Sequence, residues 1–318
     1  MTSWEVDVRV ANSILELIGQ TPLLRLAELE NGGTEIWAKL ENLNPGGSVK
    51  DRIGLGMVRA AEADGRLKPG STIVEATAGN TGIGLALVGA RKGYRVILVV
   101  PQKYSVEKQK LMRALGAEVV VTPTEEGMAG AQAKAKAIAE SIAGAFYIDQ
   151  FSNPANPQSH EDTTGPEIFQ QTGGQLDAIV VGCGSGGTFV GTVRYLKKRL
   201  AHLYAVAVEP EGSVLGGGPA GPHLVEGIGM DEIPLVMEPL LADEIITIPD
   251  PEAFAMVRRL ARECGVLAGS SGGANVAAAV KVAARLGPGK RVVTVIPDSC
   301  ERYMSKNILE LFPEEQCT

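Results

Sequence analysis

Short apolar, β-branched runs alternate along this chain with longer stretches of helical periodicity, and no other feature narrows the fold as far. STIVEA (71–76), YRVILVV (94–100), AEVVVT (117–122), LDAIVVG (176–182), LYAVAVE (203–209) and KRVVTVIP (290–297) read as buried strands. Helical patterns fall between them, near 81–92, 104–115, 127–143, 187–200, 251–264 and 273–286. Strands separated by helices run parallel and are joined by right-handed crossovers, so the fold class is α/β with mostly parallel sheets. Ligands of such sheets bind outside the carboxyl ends of the strands, where loops enter helices. The chemistry is therefore sought in those loops.

The units form two groups, one ending near Ile148 and one starting near Leu176, with QFSNPANPQSHEDTTGPE between them. A chain of 318 residues with 45% hydrophobic content can bury two cores, so two α/β domains are expected, 1–148 and 149–318. The Ala- and Lys-rich stretch AGAQAKAKAIAESIAGA (129–145) reads as a helix with a solvated basic face. A net charge of −7 with no basic block argues against nucleic acid and anionic membranes as partners. MTSWEVDVRVANS carries charges where a signal peptide needs an apolar segment, and no run approaches the ~18 apolar residues of a membrane span, so a cytoplasmic location is expected. Cys183, Cys264, Cys300 and Cys317 form no C-x-x-C and read as reduced thiols, with Cys183 a small turn residue rather than a nucleophile. His160, His202 and His223 are widely spaced, so no metal site is expected.

Four loops stand out. VVGCGSGGTFVG (180–191) matches G-x-G-x-x-G at Gly182, Gly184 and Gly187, and Glu209 ends the next apolar run, where a ribose-binding acid belongs; the motif admits a dinucleotide pyrophosphate or a single phosphate. KLENLNPGGSVKDR (39–52) places Lys50 after a Pro-Gly-Gly turn and a candidate N-cap, Ser48. A lysine in a first helical turn meets a positive potential, which lowers its pKa and frees the neutral amine. EATAGNTGIGLALVGARKG (75–93) brings Thr77 to Gly82 to a strand end before a small-residue helix, where backbone N–H groups can bind a carboxylate. LAGSSGGANVAAA (267–279) is read the same way, as hydroxyls at a strand end, and IPDSCERYMSK (296–306) follows the last strand. Taken singly, each also reads as an ordinary turn or a surface lysine.

Taken together, NPGGSVKDR with Lys50, TAGNTGIGLA (77–86), QFSNPANP (150–157), GSGGT (184–188), VEGIG (225–229), GSSGG (269–273) and PDSCERYMS (297–305) resemble, in order, the pyridoxal-phosphate β-replacement enzymes. These are the cysteine synthases (O-acetylserine sulfhydrylases) and cystathionine β-synthases. The resemblance implies a two-domain, fold type II architecture like the tryptophan synthase β subunit, with pyridoxal 5'-phosphate as cofactor. It implies that Lys50 forms the imine and then acts as the base at Cα. It also implies that Gly184, Ser185, Gly186, Gly187 and Thr188 hold one phosphate monoester, Asn80 meets the ring hydroxyl and Ser271 lies by the pyridine nitrogen. Thr77, Gly79, Thr81 and Gln150 would bind the substrate carboxylate. Ala76 and Ala78 depart from the commoner EPTSGNTG pattern by replacing its Pro and Ser.

The implied reaction joins O-acetyl-L-serine and sulfide into L-cysteine and acetate. YSVEKQKLMRALGAE (104–118) and HLVEGIGMDEIP (223–234) resemble the cystathionine-forming branch more closely, which keeps homocysteine as the alternative thiol. Glu226, Asp231 and Glu232 would then meet its ammonium, or form an acidic rim. An NAD-dependent dehydrogenase is the remote alternative, and a threonine dehydratase or synthase is also compatible with the fold type. Homodimerisation and docking of a serine acetyltransferase tail are implied by the resemblance alone, and no haem-binding extension or regulatory module is expected.

Overall fold

A computed structural model describes residues 10–30 and 32–313. Among these residues, ten strands form two sheets. The larger has the order β1 (Leu23–Arg25), β2 (Glu35–Leu40), β10 (Arg291–Ile296), β7 (Ala178–Gly182), β8 (Tyr204–Pro210), β9 (Glu244–Ile248). The smaller has the order β5 (Glu118–Thr122), β4 (Arg95–Pro101), β3 (Thr72–Ala76), β6 (Ala145–Tyr147). Every pairing is parallel except β1 with β2.

Nine α-helices pack on these sheets among the described residues: α1 (Lys50–Ala63), α2 (Asn80–Lys92), α3 (Val106–Ala114), α4 (Gly127–Ser141), α5 (Ala155–Asp162), α6 (Thr164–Gln171), α7 (Gly187–Lys197), α8 (Asp250–Cys264) and α9 (Ser270–Leu286). Both faces of each sheet are covered, which explains why the central strands are apolar throughout rather than alternating. Within β3, Ile73 joins the core under α1 and α2 while Val74 joins the core under α4. In β10, Val292 faces the α8 and α9 core and Val293 the α7 core. This is the two-residue period of a strand feeding two cores at once.

The six strands and six helices expected from periodicity are all present, with ends shifted by a few residues. β1, β2, β6, β9, α5 and α6 were not legible. β2 carries the fully buried Lys39 inside EIWAKL, β6 spans three residues, and β9 starts on a charge, so none shows a clean apolar run. The stretch before GSSGG is not a strand end: α8 closes at Cys264, and a coil leads into α9.

A single cut at 148 does not separate the sheets. The chain leaves the small sheet after Tyr147, yet β1 and β2 belong to the large one, where β2 is in register with β10 from Glu35 opposite Arg291 to Leu40 opposite Ile296. An Arg291–Glu35 ion pair at 2.7 Å ties that edge. The small sheet is thus an insertion between strands of the large one.

Candidate active site

Loops from both sheets surround a cavity of about 880 Å³. Lys50, Thr77, Gly79, Asn80, Thr81, Gln150, Gly184, Ser185, Thr188 and Ser271 all line it. Gly186 and Gly187 sit behind that wall. Gly186, at φ +88°, turns the chain into α7, and a side chain there would press on Met237; one on Gly187 would strike Asn156.

Lys50 is the first residue of α1, and its N–H donates to the Ser48 hydroxyl at 3.3 Å. Burial lowers its amine to about 8, a shift that Asp298 and Cys183 partly oppose. An amine at that value is available as base and nucleophile near neutral pH.

The TAGNTG turn is shaped from within. Thr77 Oγ1 accepts from the N–H groups of Gly79 at 3.0 Å and Gly82 at 3.3 Å. Gly79 has φ +142°, where only glycine is unstrained, and lies against the stem of Lys108. Thr81 donates to Gln150 Oε1 at 2.7 Å, and the Gln150 amide donates to Ala76 O at 3.3 Å. Behind them, buried Glu75 accepts from the N–H groups of Asp149 at 2.8 Å and Gln150 at 3.3 Å. Asn80 is held at both ends, donating to Asp298 at 2.7 Å and accepting from Arg302 at 3.0 Å.

Ser271 stands in the first turn of α9, buried, beside Gly227. Asn275, one turn on, donates to Val295 O at 2.9 Å and leaves Oδ1 without a protein partner at the cavity wall. Glu226 is not an open acidic rim: it is buried and bonded to Lys108 Nζ at 3.2 Å and to Lys306. Asp231 and Glu232 are exposed.

Two further side chains were missed by the sequence reading. Lys108 is buried and donates to Tyr303 OH at 2.9 Å, and Tyr303 donates to Asp298. Lys108 sits in the charged run VEKQK, which reads as solvent-facing, so only the packing of α3 against residues 300–306 reveals it. Cys183 is buried, and burial pushes its thiol up to about 12, consistent with a space-filling residue. Glu209 is occupied, accepting from Leu215 N at 2.9 Å, Gly216 N at 3.0 Å and Thr247 Oγ1 at 3.1 Å. It leaves a ribose little to bind.

No group of three or more His, Cys, Asp or Glu among the described residues is arranged to hold a metal, and no described helix is long and apolar enough to cross a membrane. Cys317 lies outside the described residues.

A parallel-stranded fold with a half-buried lysine and a glycine-rich helix terminus in one cleft agrees with a family model described as pyridoxal-phosphate dependent enzyme, matched over residues 14–298. The chain belongs to that family. A cysteine synthase of Helicobacter pylori is 48% identical over 302 residues, covering 94% of this chain and 99% of the relative. The O-acetylserine dependent cystathionine beta-synthase of Bacillus subtilis is 46% identical over 302 residues, covering 95% and 98%. Among solved structures, an O-acetylserine dependent cystathionine beta-synthase from Helicobacter pylori has a TM-score of 0.92 at 47% identity, covering 95% of this chain and 99% of that one. O-ureido-L-serine synthase has the same TM-score at 41% identity, covering 96% and 97%.

Proposed function

We propose that this chain is a cysteine synthase that binds pyridoxal 5'-phosphate and converts O-acetyl-L-serine and sulfide into L-cysteine and acetate. The observation that carries the reading is the placement of Lys50 in one cavity with the Ser185–Thr188 helix terminus and the Thr77–Thr81 turn. The residues present fit the cofactor. Gly184 to Thr188 offer first-turn amides and two hydroxyls to a phosphate, Asn275 Oδ1 is an unpartnered buried acceptor, and Lys50 is a lysine of lowered pKa.

When bound, the cofactor supplies the electron sink for charge developing at the substrate Cα. Lys50 would hold the cofactor, and its amine, when free, would take the Cα proton as acetate departs. The N-terminus of α2, with Thr77, Gly79, Thr81 and Gln150, receives the substrate carboxylate and orients the Cα–H bond toward that amine. Asn80, held by Asp298 and Arg302, presents a fixed amide to the ring hydroxyl. Ser271 would offer a neutral hydroxyl rather than a carboxylate to the ring nitrogen of a bound cofactor, and so would not hold a proton there. That favours loss of the β-substituent over transamination. Acetate leaves more readily than hydroxide, which supports O-acetylserine over serine.

The second reading has homocysteine as the thiol, giving cystathionine. The names of the Bacillus relative and the Helicobacter structure favour it. Sulfide ranks first because it needs only access to the β-carbon. The test is kcat/KM for sulfide and homocysteine at fixed O-acetylserine. Sulfide is expected to be preferred, and a preference for homocysteine above about tenfold, ~1.4 kcal/mol of transition-state binding, overturns the ranking. The family resemblance further supports a cytoplasmic homodimer whose cavity also accepts the tail of a serine acetyltransferase. It supports a domain that carries Lys50 and the carboxylate loop facing one that carries the phosphate loop and Ser271.

A further inference from the structure

The segment NPANPQSHEDTTG has no part in the mechanism above, although it stands directly behind the phosphate loop. In the structure it forms α5, and two of its side chains, four residues apart and so on one helical face, each reach one hydroxyl of that loop. Asn156 Nδ2 donates to Gln150 O at 2.7 Å and to Ser185 Oγ at 3.0 Å. His160 lies fully buried, with Nδ1 2.8 Å from Thr164 Oγ1 and Nε2 3.2 Å from Thr188 Oγ1. Both hydroxyls belong to residues lining the cavity; Asn156, His160 and Thr164 do not line it.

We propose that Asn156 and His160 are positioning residues which donate to Ser185 and Thr188 from behind, so that the hydroxyl hydrogen of each faces the cavity as a donor to a phosphate monoester. The inference rests on the reading of this loop as a phosphate site.

The direction of each bond follows from the partners. Gln150 O is a carbonyl and accepts only, which fixes the nitrogen of Asn156 on this side and makes Ser185 Oγ the acceptor. For His160, burial, followed by the charges of Lys50 and Arg52, lowers the ring well below its usual range, so it is neutral and carries one N–H. Thr164 is fully buried, and its hydroxyl hydrogen has His160 Nδ1 as its acceptor. If Nδ1 carried the proton instead, that hydroxyl would lose its acceptor, at a cost of about 1–3 kcal/mol. Thr188 has no such constraint, because its hydrogen can turn to the cavity. The arrangement that leaves no buried donor stranded therefore runs from Thr164 to Nδ1 and from Nε2–H to Thr188. The opposite tautomer would turn the lone pairs of Thr188 toward a dianion.

Tight packing keeps the ring in place. Gly191 of α7 lets α5 approach so closely that a side chain there would strike Pro157 O and the His160 Cβ.

The test compares pyridoxal 5'-phosphate with pyridoxal, which lacks the phosphate, by absorbance titration of the full-length apoprotein. Compared between variants, the ratio of their dissociation constants reports the phosphate site, because the tendency of pyridoxal to close on its own aldehyde is the same in every titration. His160→Gln keeps an amide donor at the depth of Nε2 and is expected to retain the ratio within about threefold. His160→Asn places its amide at the depth of Nδ1, short of Thr188, and is expected to lower the ratio about tenfold, near 1.4 kcal/mol. In a Thr188→Val background the same substitution is expected to have little further effect. Thr164→Val, nearly isosteric and away from the cavity, is expected to lower the ratio in the same direction and decides the matter if His160→Asn does not fold. A wild-type protein that binds both compounds equally overturns the phosphate-loop reading itself. A wild-type preference that survives unchanged in His160→Asn, or in Thr164→Val when only that variant folds, overturns the role of His160.

Discussion

Half-buried Lys50 and fully buried Glu75 are ionisable groups near the TAGNTG turn, and desolvation drives each toward its neutral form. For Lys50 this makes a usable base. Lys50→Ala is expected to lower turnover by at least about a thousandfold, since covalent partner and base are lost together, while the melting temperature stays near wild type. Wild-type turnover would move the base elsewhere. Glu75 is raised to about 8, chiefly by burial, against an ordinary value near 4.5. Between those values the folded protein keeps a proton that the unfolded chain has released, so this group's contribution to stability falls as pH rises through the window. Glu75→Gln cannot lose that proton. Its stability is expected to decline less than wild type's between about pH 5 and about pH 8, although the missing acceptor costs about 1–3 kcal/mol throughout. The flattening is partial, because Asp51, raised to about 7 by burial, titrates in the same range. Unfolding midpoints in urea at several pH values read both effects, and equal slopes for the two proteins would place Glu75 in contact with water.

At the scale of elements, α1 has to present Lys50 at one rigid position, and its anchor lies two residues further on. Arg52 makes paired bonds to Glu41 at 2.7 and 2.8 Å and to Glu167 at 2.7 Å twice, and Lys39 adds a 2.7 Å ion pair to Glu167. These contacts join α1 to the end of β2 and to α6, which belong to the large-sheet side of the cleft. Burial would raise the Glu41 carboxyl, but the Arg52 guanidinium outweighs it and holds the group below its ordinary range. Removing one charge unbalances such a cluster: without Glu41, Arg52 and Lys39 are left to share Glu167 alone. Glu41→Gln is expected to cost about 3–5 kcal/mol in urea unfolding, whereas replacing Glu41 and Arg52 together by Leu and Met is expected to cost less than either single change. A loss under about 1 kcal/mol would show that the cluster is solvated.

For the whole molecule, the cavity is closed by loops of both sheets, so a ligand held there bridges them and binds only the folded chain. Removing pyridoxal 5'-phosphate is expected to lower the melting temperature. Restoring it to a hundredfold excess over its dissociation constant is expected to add about 2.7 kcal/mol to the unfolding free energy. Calorimetry of apoprotein and reloaded protein reads this directly. A melting curve indifferent to the cofactor would mean that the cleft does not hold it.

The sequence by itself determined the α/β class, six of the strands with the helices between them, and the loops that meet at the cavity. Those depend on local periodicity and on glycine-rich turns at strand ends, which short-range sterics and the burial of apolar faces dictate. Lys50, Thr77, Asn80, Ser185, Thr188 and Ser271 each sit in a motif legible in the sequence, and all line one cavity. Only the tertiary structure decided that β1 and β2 cross to the large sheet, that Lys39 and Lys108 are buried, and that Glu226 is paired with lysines rather than open to a ligand. Each of these depends on a partner far away in the chain. A charged residue reads as solvent-facing until the carboxylate or hydroxyl that compensates its desolvation is brought beside it, and no local pattern records that meeting.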